Sequence, residues 1–191
     1  MSLPVVGAAY RLRYTINGSG KIQVEAFYKP EKEKIPLMPK FGMRMRLPSS
    51  MNYIKWYGRG EFENYPDRKT AAFVGYYAAD VDNFITDYAF PQDNANRCDV
   101  RWFSLNDKES RNIKVACLQP LCFRVWPYSE EDLEKNRHAY ELPERDYLNV
   151  NIDLNIHGVG GTDSWGARTL DEYTIDGNQA YYYGYIMEYS D

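Results

Sequence analysis

Residues 41–47 read Phe-Gly-Met-Arg-Met-Arg-Leu, with apolar side chains at every second position and Arg44 and Arg46 between them. A period of two is the mark of a strand that packs one face and wets the other. It returns more cleanly at 147–154, where Leu148, Val150, Ile152 and Leu154 share one face and Asn149, Asn151 and Asp153 the other. That second face is predicted to be wet or to face a ligand. Strands are also predicted at 11–16 and 21–28, joined through Asn17-Gly18-Ser19-Gly20, whose Asn-Gly start tolerates the positive φ of a tight hairpin. The remaining strands are predicted at 52–57, 70–78, 99–105, 111–117, 121–126, 171–175 and 180–189. One stretch, 129–137, reads as helix: Ser129 is a natural N-cap, Glu130, Glu131 and Asp132 fill the first turn, and Lys135 and Arg137 the last. Many strands at short intervals with one short peripheral helix predict an all-β fold, a large antiparallel sandwich.

A chain of 191 residues that is 44% hydrophobic can bury one good core, so residues 1–191 are expected to form a single domain. Strand-like alternation begins by about Ala9 without a polar linker before it, so the chain is expected to be a fragment. The run Glu31-Lys32-Glu33-Lys34, set between Pro30 and Pro36, is predicted to be a solvated loop. A net charge of -4 argues against nucleic acid, whose binding needs a basic footprint. No stretch has the roughly 18 apolar residues of a membrane helix, and Met1-Ser2-Leu3-Pro4 has neither the charged start nor the apolar run of a signal peptide. The expectation is a soluble protein without a membrane partner, with cytoplasm and periplasm both open. Cys98, Cys117 and Cys122 are odd in number and lack metal-ligand spacing, so Cys117 and Cys122 are read as core fillers. Aromatic content of 16%, with 18 Tyr and 4 Trp, suits broad half-buried sheet faces. It also suits sugar binding, because a pyranose ring presents an apolar face that stacks on an aromatic plane.

Two segments are dense in residues that local structure does not demand. The first is Trp56-Tyr57-Gly58-Arg59-Gly60-Glu61-Phe62-Glu63-Asn64-Tyr65-Pro66-Asp67-Arg68. The second, His157-Gly158-Val159-Gly160-Gly161-Thr162-Asp163-Ser164-Trp165-Gly166, superficially has the glycine spacing of a phosphate cradle, but no Lys-Ser/Thr pair and no helical pattern follow it. Together with Phe90-Pro91-Gln92-Asp93-Asn94-Ala95-Asn96-Arg97-Cys98-Asp99-Val100-Arg101-Trp102, they resemble the motifs of the C-terminal, small-chain domain of bacterial β-galactosidases of glycoside hydrolase family two. Order and spacing agree from about residue 40 to the C-terminus. The first segment departs from the family at Phe62, and Thr162 replaces the first Asp of the family's G-x-G-G-D-D-S-W motif.

The resemblance implies a supersandwich like that of galactose mutarotases, forming the N-terminally truncated C-terminal domain of a larger enzyme. That enzyme removes terminal non-reducing β-D-galactose by a retaining mechanism. It implies that the catalytic carboxylates lie outside this chain, and that the domain walls the active site with Trp165 on the aglycone side. Asp163 and Ser164 either fix the loop by bonding nearby backbone or meet sugar hydroxyls. Trp165 itself is either this platform or part of the core. Glu63, Asn64, Asp67 and Arg68 are expected to form an ion-pair or turn network, His157 to be a local hydrogen-bonding partner, and Trp56 and Trp102 to pack. With His138 and His157 the sole histidines, no metal or cofactor is expected in this chain, and metal ions are left open for the full-length enzyme. The expected partners are a β-galactoside or other carbohydrate and the remaining domains of the enzyme, with quaternary state open. Two other classes stand beside this: a stand-alone carbohydrate-binding module, and an aldose epimerase, which needs a His acid and a carboxylate base facing one pocket.

Overall fold

The computed structural model describes residues 2–3, 6–161 and 163–190, so the substitution at Thr162 lies outside the described residues. Ten strands appear among the described residues: β1 (Ser2–Leu3), β2 (Ala8–Ile16), β3 (Ile22–Pro30), β4 (Lys40–Pro48), β5 (Tyr53–Gly60), β6 (Phe73–Asp80), β7 (Arg97–Asn106), β8 (Asn112–Trp126), β9 (Tyr147–Ile156) and β10 (Tyr181–Ser190). All of their pairings are antiparallel, and the main path runs β1-β2-β3-β10-β8-β7-β5-β6, with β9 on β8 and β4 on β9 as a branch. The all-β sandwich read from the alternation is what forms.

The strand β8 is the corner of the sandwich. Its first half pairs with β10 through Asn112–Cys117, and its second half pairs with β9 from Cys122 to Trp126. The two strands predicted at 111–117 and 121–126 are therefore one. Across from it the ladder jumps from Trp102↔Ala116 to Val100↔Leu121. Pro120 falls in this gap, where its missing N–H interrupts no ladder and the irregularity lets the strand bend from one layer into the other. The branch then folds back over β2, β3 and β10. Phe41 of β4 meets Tyr10, Tyr28, Tyr181 and Tyr183 at ring-centroid distances of 5.4–6.1 Å, the nearest being Tyr183 at 5.4 Å. At the other end Phe103 stacks on Phe123 at 4.4 Å, and Trp56 packs edge-on to Phe84 at 5.3 Å. Trp56 is thus a packing residue, buried to 1% exposure.

In the β2–β3 hairpin it is Gly20 that carries the positive φ. Asn17 organises the loop instead with its side chain, accepting from the main-chain N–H of Ser19 and Lys21 at 3.1 and 3.0 Å. The strand predicted at 171–175 is a short 3-10 turn, Asp171–Tyr173, followed by a single bridge from Ile175 to Met38. Its aromatic and β-branched residues signal burial of Ile175 and not an extended run. A four-residue helix, α1 (Val81–Phe84), is too short to leave a period in the sequence. Residues 31–34 are exposed, as a solvated loop should be.

The polar face of β9 departs most from expectation. Asn149, Asn151 and Asp153 are buried, not wet. The segment that carries α2 (Glu130–Lys135) lies over them: Asn149 donates to the Tyr128 carbonyl at 2.5 Å and Asn151 to Glu130 at 3.2 Å. Glu130 also receives Lys40 and Arg44 at 2.5 Å each and the buried Arg124 at 3.1 Å. The start of α2 is closed reciprocally. Ser129 Oγ accepts from the Asp132 N–H at 3.1 Å, and the Asp132 carboxylate accepts from the Ser129 N–H at 2.9 Å.

Candidate functional site

The Glu63-Asn64-Tyr65-Pro66-Asp67-Arg68 segment leaves β5 and is zipped onto the start of β7. Asn64 is fully buried; its side-chain oxygen accepts from the Cys98 N–H at 2.8 Å, and its carbonyl accepts from Asn96 Nδ2 at 2.7 Å. Glu63, also buried, receives Arg68 at 2.6 Å, the Ala95 N–H at 3.0 Å and the Tyr88 hydroxyl. Behind them Cys98 and Cys122 are buried free thiols, and Cys117 packs half-buried against the core, where burial pushes its thiol up to about 12. Tyr65 and Arg68 bond each other's main chain in both directions, closing a turn that contains Asp67. The expected ion-pair and turn network is present.

Asp67 reaches the glycine-rich loop that follows β9. Its carboxylate accepts from the N–H of Val159 at 3.0 Å, the N–H of Gly160 at 2.8 Å and the Thr169 hydroxyl at 2.9 Å. Burial pushes this carboxyl up, but those three donors outweigh it and hold the group below the usual carboxylate range. An anion cradle would need these N–H groups free, and Asp67 already occupies the place a phosphate would take. Gly158 must be glycine here: a Cβ would lie 2.7 Å from the Asp67 carboxyl carbon and 2.8 Å from Thr169 Oγ1. His157 does act locally, with Nδ1 2.8 Å from the Gly158 carbonyl and its main-chain N–H donating to the Pro39 carbonyl at 2.8 Å.

At the tip of the loop Asp163 accepts from the N–H of Trp165 at 2.8 Å and of Ala167 at 3.1 Å. Those main-chain donors, Ala167 foremost, hold its carboxyl below the usual range. Asp163 thus bonds nearby backbone, the first of the two roles expected for it. Ser164 is exposed beside it. Trp165 is 92% exposed, so it is not part of the core. The three residues singled out in the sequence sit together on one projecting turn.

Beneath the loop lies a cavity of about 710 Å³, lined by residues 36–39, Tyr65, Asp93, Ile156, His157, Gly158, Val159 and Arg168. Tyr65 is buried, and its hydroxyl has no hydrogen-bond partner among the described residues; burial and then the nearby Glu63 charge push it well above the ordinary phenol. His157 and Asp93 do face one cavity, which chain spacing alone did not suggest. Asp93, however, is paired with the buried Arg124. Asp67, Tyr65 and Arg168 were not picked out as site residues. Asp67 carried the one usable signal, its place in the Glu63–Arg68 motif, but its target is a loop far along the chain. Among the described residues no group of three or more His, Cys, Asp or Glu is placed to hold a metal ion, and no helix is long and apolar enough to cross a membrane.

The sequence pattern of the family described as "Beta galactosidase small chain" matches residues 2–187, further toward the N-terminus than the motifs alone reach. Among curated relatives, the protein named beta-galactosidase from Priestia megaterium is 34% identical over 174 residues, 91% of this chain and 17% of its own length. Its namesake from Halalkalibacterium halodurans is 34% identical over 172 residues, 88% of this chain and 17% of its own length. The one from Pseudoalteromonas haloplanktis is 35% identical over 173 residues, 90% of this chain and 16% of its own length. The chain therefore spans about a sixth of the length of these relatives. With the match running over nearly every residue from the first hairpin to the last strand, the chain belongs to the β-galactosidase small-chain family.

Proposed function

We propose that this chain works as one domain of a longer β-galactosidase, where the loop bearing Trp165 walls the aglycone side of the active site. The longer enzyme hydrolyses terminal β-D-galactosides with retention. Its two catalytic carboxylates, about 5 Å apart as that mechanism requires, belong to another domain. The single observation that carries this reading is Trp165: a large aromatic side chain 92% exposed on a turn braced by Asp163 and stemmed by Asp67. An exposed indole forgoes the free energy that burying it would gain, and ordering the loop that carries it costs conformational entropy, so a partner for the ring face is the natural explanation. An indole plane suits the leaving-group side, since stacking tolerates many aglycones.

The test is Trp165→Ala in the full-length enzyme. Stacking worth about 1 kcal/mol should be lost, roughly a five- to tenfold effect on disaccharides and other bulky galactosides. Galactose binding and a substrate with a small leaving group should change little. Because the ring is exposed, the melting temperature should stay near that of the parent. Equal losses on both substrates would reject the platform. The epimerase class is not favoured, since Asp93, the carboxylate that shares the His157 cavity among the described residues, is paired with Arg124.

A further inference from the structure

We propose that Asp67 is the positioning residue of the aglycone platform, a role that rests on the reading of Trp165 given above. One carboxylate holds both stems of the Trp165 loop: Val159 and Gly160 on the way out, Thr169 on the way back. Trp165 lies between these clamped points and is itself exposed, so contacts with the body of the domain do not set its direction. The turn made by Asp163 shapes the tip, and its bonds among the described residues lie within the loop, to Trp165 and Ala167. Where the tip points is therefore decided at the stems.

Asp67 suits this work because it is itself anchored. The reciprocal Tyr65 and Arg68 main-chain bonds fix its turn, and Arg68 is tied to the buried Glu63 at 2.6 Å. Charge-assisted bonds to an ionised carboxylate are shorter and stronger than neutral ones, and the group stays ionised because its donors hold it below the usual carboxylate range. The two oxygens divide the work: Oδ1 takes Val159, and Oδ2 takes Gly160 and Thr169. An amide cannot reproduce this, because its nitrogen would meet donors. Gly158, with space for no side chain, lets the loop backbone close on the carboxylate. A shift of about 1 Å in a positioned group is enough to change rates severely, so loosening the stems should be felt at the ring.

The experiment uses the full-length enzyme with Asp67→Asn, Trp165→Ala and the double variant, each assayed on a bulky-aglycone and a small-leaving-group galactoside. Asp67→Asn should raise KM for the bulky substrate by about three- to tenfold, the scale of one aromatic contact, with kcat on the small one within about twofold. It should add nothing to Trp165→Ala, and the amide protons of Val159 and Gly160 should lose hydrogen-exchange protection. Thr169→Val, which removes one of the three donors and leaves the carboxylate, should move KM the same way by less and serves if Asp67→Asn fails to fold. A selective Trp165→Ala beside an Asp67→Asn enzyme that loses both substrates equally, or whose loss adds fully to that of Trp165→Ala, overturns the proposal alone. A Trp165→Ala enzyme with unchanged aglycone preference removes the platform reading and this proposal with it.

Discussion

Asp153 is a carboxyl group enclosed between β9 and the residues that cover it, and burial raises it to about 6. Lys40 and Arg124 pull it down and Glu130 pushes it up, so desolvation is what prevails. A carboxyl raised in the folded state binds its proton more tightly there than in the unfolded chain. Stability is therefore greatest below the ordinary Asp value, falls as pH rises from about 4 to about 6, and is flat beyond, for a loss on the order of 3 kcal/mol. Asp153→Asn keeps the shape and removes the titration. Urea unfolding of the variant should show no decline across that window, and a decline like the parent's would refute the assignment to Asp153. The alternation at 147–154 placed this side chain on the correct face of its strand. Its burial was not legible, because the cover comes from residues elsewhere in the chain.

At the scale of elements, the cover over β9 hangs on the N-terminal turn of α2. Ser129→Ala removes one half of the capping box and should cost about 1 kcal/mol, read by thermal or urea unfolding. Glu130 should matter more, since it meets Lys40, Arg44, Arg124 and Asn151. Burial pushes its carboxyl up, but the Lys40 bond and charge outweigh this and bring it to about 2. A carboxyl lowered in this way contributes stability that is complete above its ordinary value and is lost as pH falls from about 4.5 toward 2. Glu130→Gln should flatten that acid loss, and an unchanged acid limb would contradict the hub. Serine as N-cap and acids in the first turn were local signals and were read correctly. The continuity of β8 was not, since Pro120 looks like a strand end until the bend from one layer to the other gives it a place.

For the whole molecule, the expected outcome follows from where the carboxylates stand. Those among the described site residues are committed: Glu63 to Arg68, Asp67 to the loop stems, Asp93 to Arg124 and Asp163 to its own turn. The purified 191-residue chain should leave a chromogenic β-galactoside uncleaved. Turnover that survives removal of contaminating enzyme and disappears on replacing a carboxylate of this chain would overturn that.

Most strands, the first hairpin, the α2 cap and the motifs that mark the family were legible in the sequence, because each depends on neighbours a few residues apart. The bend of β8, the burial of Asn149, Asn151 and Asp153, the shared cavity of His157 and Asp93, and the hold of Asp67 on the Trp165 loop were decided only in three dimensions. The reason is physical. Alternation and capping are properties of a segment, whereas desolvation and a long-range hydrogen bond depend on which distant segment closes over it, and one chain's pattern does not name that partner.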